Sequence, residues 1–175
     1  LNTSDSKITM IKKISTPLGE MIAFANPDGL CLLKFYDCVN LTELISQIVQ
    51  INHYQHQYQP ETVLKQTQDQ ITEYFNQQRT IFTLPVHCYG STFQQAAWAI
   101  LRKIPYGTTL SYQAQAIALN KPAAYRAVGN ANGRNKIELI IPCHRVIRKN
   151  NSAGGYAGKR YRKEFLLALE KNNKP

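Results

Sequence analysis

The sequence predicts two joined domains: a small α/β domain with an antiparallel sheet and helices over residues 1–88, and a mainly α-helical domain containing a helix-turn-helix over 89–175. Three observations lead there. The first third alternates short β-like runs with turn residues. The second half carries helical apolar spacing broken by Pro and Gly. The charge also divides at the same place: residues 1–89 hold 6 Lys+Arg and 8 Asp+Glu, net −2, and residues 90–175 hold 15 and 3, net +12, within a total of +10. A length of 175 residues suits one large or two small domains.

Ile8 to Ile14, Glu20 to Ala25 and Leu30 to Phe35 read as strands, punctuated by Thr16-Pro17-Leu18-Gly19 and Asn26-Pro27-Asp28-Gly29. Asn40 is placed to cap a helix carrying Leu41, Leu44, Ile45, Ile48 and Val49 on one face. Residues 52–60, rich in Gln, His and Tyr, read as a loop. A second helix follows over about Glu61 to Gln77, with Leu64, Ile71, Tyr74 and Phe75 at helical spacing. This half offers no catalytic constellation.

Pro85 to Ser91 reads as the junction. Thr92 is placed to cap a helix with Phe93, Ala97, Trp98 and Leu101, ended by Pro105-Tyr106-Gly107. Ser111 caps the next, with Tyr112, Ala116 and Leu119. After Asn120-Lys121-Pro122 a third helix starts at Pro122, where proline suits a first turn. Two short helices across a tight turn form a helix-turn-helix pattern, although an ordinary αα-hairpin is the commoner outcome. The small residues Ala123, Ala124, Ala127, Gly129 and Ala131 let a backbone approach another surface closely, or pack against a neighbouring helix.

The net charge of the second half points to a polyanion such as nucleic acid. No run approaches the length of a membrane span, and Leu1 to Lys13 lacks a signal-peptide apolar region, so the expected location is cytoplasmic, or nuclear in a eukaryote, with no membrane partner. Cys31, Cys38, Cys88 and Cys143 show no CxxC pairing, which fits free thiols in a reducing compartment.

The run Leu139-Ile-Ile-Pro-Cys-His-Arg-Val-Ile147 carries the chemistry. A cysteine after an apolar run is ordinarily a small core hydrophobe. Ionisable His144 and Arg145 directly behind it favour a thiolate, the form in which cysteine is nucleophilic. Residues 92–170 resemble the O6-alkylguanine-DNA alkyltransferases. The resemblance rests on Phe93-Gln94-Gln95 with Trp98, Ile104-Pro105-Tyr106-Gly107, Ser111-Tyr112, Arg126-Ala127-Val128-Gly129, Asn135, Pro142-Cys143-His144-Arg145-Val146, Gly155-Tyr156-Ala157-Gly158, and Leu166-Leu167 with Glu170, in the family's order. The cysteine signature is the specific element. Pro17-Leu18-Gly19 and Gly29-Leu30 are compatible with the family's N-terminal domain.

The resemblance implies a protein that flips a damaged base out of DNA and transfers its alkyl group irreversibly to Cys143, once per molecule. The implied lesion is O6-alkylguanine, with O4-alkylthymine as a second of the class. The implied partner is double-stranded DNA bound through the minor groove by a monomer. The implied catalytic set is Cys143, His144, Glu170, Tyr112 and Asn135. His144 acts through a bridging water, Glu170 orients His144, and Tyr112 donates to the purine as the alkyl group leaves. Arg126 is the wedge that fills the vacated stack. Ala127, Tyr125, Ala123, Arg134 and Lys136 complete the DNA-binding set, and Tyr156, Ala157, Gly158, Val146 and Trp98 the base pocket.

Lys136 stands where the family usually has proline, and Lys159 where it commonly has glycine. With Arg160, Arg162 and Lys163, Lys159 reads as a phosphate-contact patch. No cofactor and no metal is expected. Some family members carry an N-terminal zinc, but His87, Cys88 and Cys31 are one ligand short and poorly spaced. Three alternatives stay open: a non-catalytic alkylated-base recognition protein, a regulator reading DNA through the helix-turn-helix, and a hydrolase with a Cys–His–Glu triad.

Overall fold

The computed structural model describes residues 9–51, 53–55, 57–150, 154 and 156–173. Ile8, Asn52, His56 and Gly155, which enter the readings above, lie outside them. The chain divides into two compact units, Leu1–Cys88 and Tyr89–Pro175.

In the first unit β1 (Met10–Thr16), β2 (Gly19–Asn26) and β3 (Gly29–Phe35) form an antiparallel meander in the order β1-β2-β3. The turns are held by side chains. Thr16 Oγ1 donates to the Gly19 carbonyl and accepts from Leu18 N, and Asn26 Oδ1 accepts from Asp28 N. Helix α2 (Pro60–Phe75) packs on the sheet through Val63, Leu64, Ile71 and Tyr74. Every residue of β3 is buried, which explains its nearly continuous apolar run, interrupted only by buried Lys34. The junction segment also contributes: Leu30 N donates to the Pro85 carbonyl and His87 N to the Leu30 carbonyl, a short parallel bridge. Helix α1 spans Leu41–Val49, but Asn40 does not cap it with its side chain. Its Oδ1 accepts from Cys38 Sγ instead.

The second unit holds α3 (Thr92–Leu101), β4 (Leu110–Ser111), α4 (Tyr112–Ala118), α5 (Tyr125–Gly133), β5 (Val146–Ile147) and α6 (Arg160–Asn172). The cap of α3 is Ser91, one residue earlier than expected. Its hydroxyl accepts from Gln94 N while Gln94 Oε1 accepts from Ser91 N, a reciprocal box that leaves Thr92 as the first helical residue. Ser111 caps α4 as expected, accepting from Ala114 N. Pro122–Ala124 form one 3₁₀ turn before α5. Buried amides tie the helix-turn-helix to α3: Gln115 Nε2 donates to the Ala97 carbonyl and to Asn132 Oδ1, and Asn132 Nδ2 returns a bond to Gln115 Oε1.

The segment before Cys143 is built of turns. Residues 137–142 fold into consecutive tight turns, with Leu139 at φ 69° and Ile141 N bonded to the Ile137 carbonyl. Leu139, Ile140 and Ile141 are apolar because this turn is buried. Cys143–Arg145 then make a 3₁₀ turn leading into β5, which pairs in parallel with β4: Leu110 opposite Val146 and Ser111 opposite Ile147.

Candidate active site

That pairing puts Cys143 and Tyr112 beside one cavity of about 660 Å³, within the range of small-ligand pockets. Cys143, 6% exposed, belongs to its lining. Tyr125, Arg126, Gly129, Asn132 and Gly133 form the wall from α5, and Tyr112, Arg148, Tyr156 and Ala157 complete the rest. Asn135 holds the sulfur in place: its Nδ2 donates to the Ile141 carbonyl at 2.8 Å and to Cys143 Sγ at 3.2 Å, while its Oδ1 accepts from Ile137 N.

Next to Cys143 lies a buried charged network. His144, fully buried, bonds through Nε2 to Glu170 Oε1 at 2.8 Å. Arg145 forks onto the same carboxylate, Nε to Oε2 and Nη2 to Oε1, both at 2.9 Å. Its Nη1 donates to the Ile104 carbonyl, and Gly107 N donates to Glu170 Oε2. Burial pushes the Glu170 carboxyl up, but the His144 and Arg145 bonds and charges outweigh it and hold the group well below its usual range. Burial is the largest influence on His144 and lowers its pKa despite Glu170. The imidazole is therefore neutral. An ionised Glu170 only accepts, so Nε2 carries the proton and Nδ1 is left as the lone-pair nitrogen. Nδ1 is buried and has no hydrogen-bond partner among the described residues. Neutral His144 leaves Arg145 as the cation that balances Glu170.

Burial, and after it the charge of Cys143, raise the pKa of the Tyr112 phenol, which keeps it a proton donor. Lys163 is fully buried, with Nζ 2.6 Å from the Val146 carbonyl and 5.8 Å from the Tyr112 ring centroid. Burial lowers its pKa to about 8, against the opposing pull of the Cys143 charge.

The cavity thus gathers Cys143, Tyr112, Tyr125, Arg126, Tyr156 and Ala157, with Asn135, His144 and Glu170 placed to support the sulfur and its neighbour. Ala123 and Ala127 are exposed on the helix-turn-helix, as is Arg134 at the end of α5; Lys136 is half-buried. Ala131 is not on that open face: it is buried, and its carbonyl accepts from Trp98 Nε1 at 2.9 Å. Arg126 does not project alone either, since its guanidinium lies 5.7 Å from the Tyr125 ring centroid.

Three residues expected in the pocket wall lie elsewhere. Trp98 is buried between α3 and α5, and Val146 is fully buried with its carbonyl on Lys163. Gly158 sits behind the wall, where an added Cβ would come within 2.5 Å of the Tyr156 ring and 2.9 Å of Glu138 Oε2. The phosphate patch also needs correction. Lys163 and Arg162 are buried, and exposed Arg160 pairs with Glu164. Phe165 is 42% exposed, while α6 buries Arg162, Lys163, Leu166 and Glu170. The sequence reading has Arg145 only as a cation behind the thiol and Lys163 only as a phosphate contact, and does not single out Arg148. For Arg145 the signal was present: three ionisable or nucleophilic residues in a row after an apolar run need buried partners. Among the described residues no group of His, Cys, Asp and Glu is placed to hold a metal ion.

Residues 92–172 match the DNA binding domain of 6-O-methylguanine DNA methyltransferase, and residues 9–88 its ribonuclease-like domain. The constitutive methylated-DNA–protein-cysteine methyltransferase of Bacillus subtilis (strain 168) is 40% identical over 89% of this chain and 92% of its own length. The methylated-DNA–protein-cysteine methyltransferase of Methanosarcina barkeri is 37% identical over 91% and 96%. The crystal structure of Mycobacterium tuberculosis OGT in complex with DNA superposes with a TM-score of 0.78 at 33% identity, covering 94% of both chains. With both units matched and relatives aligned over nearly their whole length, this chain belongs to the 6-O-methylguanine DNA methyltransferase family.

Proposed function

We propose that this protein repairs alkylated DNA by transferring the alkyl group of O6-alkylguanine, and of O4-alkylthymine as a second lesion, to Cys143, once per molecule. The carrying observation is the sulfur of Cys143 in the lining of a base-sized cavity whose α5 wall holds Arg126. The relatives' names and the DNA-bound structure of a relative support the reading. The base enters the cavity from the minor groove, Arg126 fills the stack it leaves, and a monomer suffices. Ala123, Tyr125, Ala127, Arg134 and Lys136 line the approach of the helix-turn-helix to the backbone. The proposed location is cytoplasmic, or nuclear in a eukaryote.

The chemistry follows from the groups present. His144 Nδ1 takes the thiol proton through one water, and Glu170 stabilises the imidazolium that forms. The Cys143 thiolate attacks the alkyl carbon. A C–S bond forms, the C–O6 bond breaks, and its electron pair passes into the guanine ring. Tyr112 donates a proton there, which requires the protonated phenol that its raised pKa maintains. The product is a thioether, a poor electrophile, and no group in the cavity would remove it.

Intact-mass measurement after incubation with an O6-methylguanine duplex tests this. One methyl addition mapping to Cys143, absent in Cys143→Ala and ending after one equivalent, is the expected result. An unchanged mass with DNA still bound would mean recognition without chemistry, and continued turnover on an ester would mean a hydrolase. Arg126→Ala should slow repair of duplex more than reaction with free O6-benzylguanine. Equal losses would remove the wedge role.

A further inference from the structure

We propose that Arg148 is a phosphate clamp: it binds a phosphodiester flanking the extruded nucleotide and so commits the flipped base to the cavity. This deepens the reading above and rests on base flipping. Of the cavity's lining residues, two are arginines and none is a carboxylate. Arg126, on α5, is assigned to the stack. Arg148, on the segment after β5, is exposed and makes no hydrogen bond or ion pair among the described residues. An unpaired guanidinium facing a cavity suits an incoming anion, and its planar fork matches phosphate oxygens two at a time. A nucleotide turned base-first into a pocket leaves its phosphates at the rim, where an exposed side chain reaches them.

The position is built. Ser111 pairs with Ile147 across the β4–β5 ladder, so Tyr112 and Arg148 each follow a fixed residue. Gly154, at φ 68°, lies between them: an added Cβ there would stand 3.3 Å from Arg148 Cγ and 3.5 Å from the Tyr112 hydroxyl. The stem of Arg148 therefore runs beside the proposed proton donor, leaving its head group to solvent. A role on the sulfur is less suited to it, because solvent screens an exposed cation. Buried Lys163 is better placed for that.

Single-turnover rates at saturating O6-methylguanine DNA, duplex and single-stranded, test the assignment beside rates with free O6-benzylguanine. Arg148→Ala should lower the maximal rate about tenfold on both DNA forms, as expected for one charged hydrogen-bonding contact. The free-base rate should fall by less than either DNA rate, and Arg148→Lys should recover part of the loss on DNA. The defect on single strands separates this role from the wedge, whose loss matters only where a partner strand must be kept apart. Unchanged maximal rates would overturn the proposal, as would an equal fall with the free base or a defect confined to duplex. If wild type itself takes no alkyl group, the proposed function fails; an active wild type with an equally active Arg148→Ala removes the clamp alone.

Discussion

The two units bury different things. The first fills its interior with Met21, Phe24, Leu30, Leu32, Leu33, Phe35, Ile71 and Tyr74, and its strand turns are held by local side-chain bonds. The second buries His144, Arg145, Lys163 and Glu170 beside its cavity. Apolar burial stabilises without direction, at about 25 cal/mol per Å². A buried ion network stabilises little by itself, because desolvation offsets the attraction, but it is intolerant of losing one member. The difference separates a unit shaped for folding from one that holds charge where chemistry needs it.

The largest expected effect is Glu170→Ala, which strands the Arg145 guanidinium in the interior. It should destabilise the second unit by about 3–5 kcal/mol, read by denaturant unfolding through the fluorescence of Trp98, the chain's single tryptophan. Glu170→Gln, which keeps two acceptor or donor atoms in place, should cost less and still slow alkyl transfer. If Glu170→Ala proves neutral, the contrast between the units collapses. Leu33→Ala in the first unit should cost about 3 kcal/mol by opening a cavity, seen in hydrogen exchange of β2 and β3. The rate of alkyl transfer, normalised to folded protein, should not change.

Acid sharpens the same contrast. The folded His144 pKa lies below the ordinary 6.5. As pH falls below that value the unfolded chain binds a proton the folded one refuses, so stability is lost, by up to about 1.4 kcal/mol per pH unit from this group. Glu170, also depressed, adds a further loss below its ordinary 4.5. A His144→Asn variant should flatten the upper segment of that profile, and an unchanged slope would show that His144 is not buried neutral. The smallest effect belongs to the surface: Arg160→Ala breaks an exposed pair with Glu164, with side chains 75% and 52% accessible, and should change stability by only a few tenths of a kcal/mol.

Much was legible in order along the chain. The meander, helices α1 to α5 and the cap at Ser111 follow from turn residues and periodicity, because those signals are local. The cap expected at Thr92 falls one residue earlier because Ser91 takes it, whereas Asn40 stands at the expected cap position but its side chain bonds Cys38 Sγ instead. The apolar run before Cys143 showed burial but not shape, because burial makes a turn and a strand equally apolar. Lys159 to Lys163 misled for the reverse reason: charge suggests solvent, and nothing local says that Lys163 and Arg162 face inward.

The sequence by itself determined the two units, the candidate nucleophile and its chemical neighbours, since a Cys-His-Arg run in a basic half carries its chemistry in adjacent residues. Only the tertiary structure decided that Asn135 holds the sulfur, that Arg145 rather than a charged His144 balances Glu170, and that Lys163 lies under Tyr112 while Arg148 stands free at the cavity. Such roles depend on which distant groups share a buried space, and burial sets both the proton on a side chain and the partner it keeps.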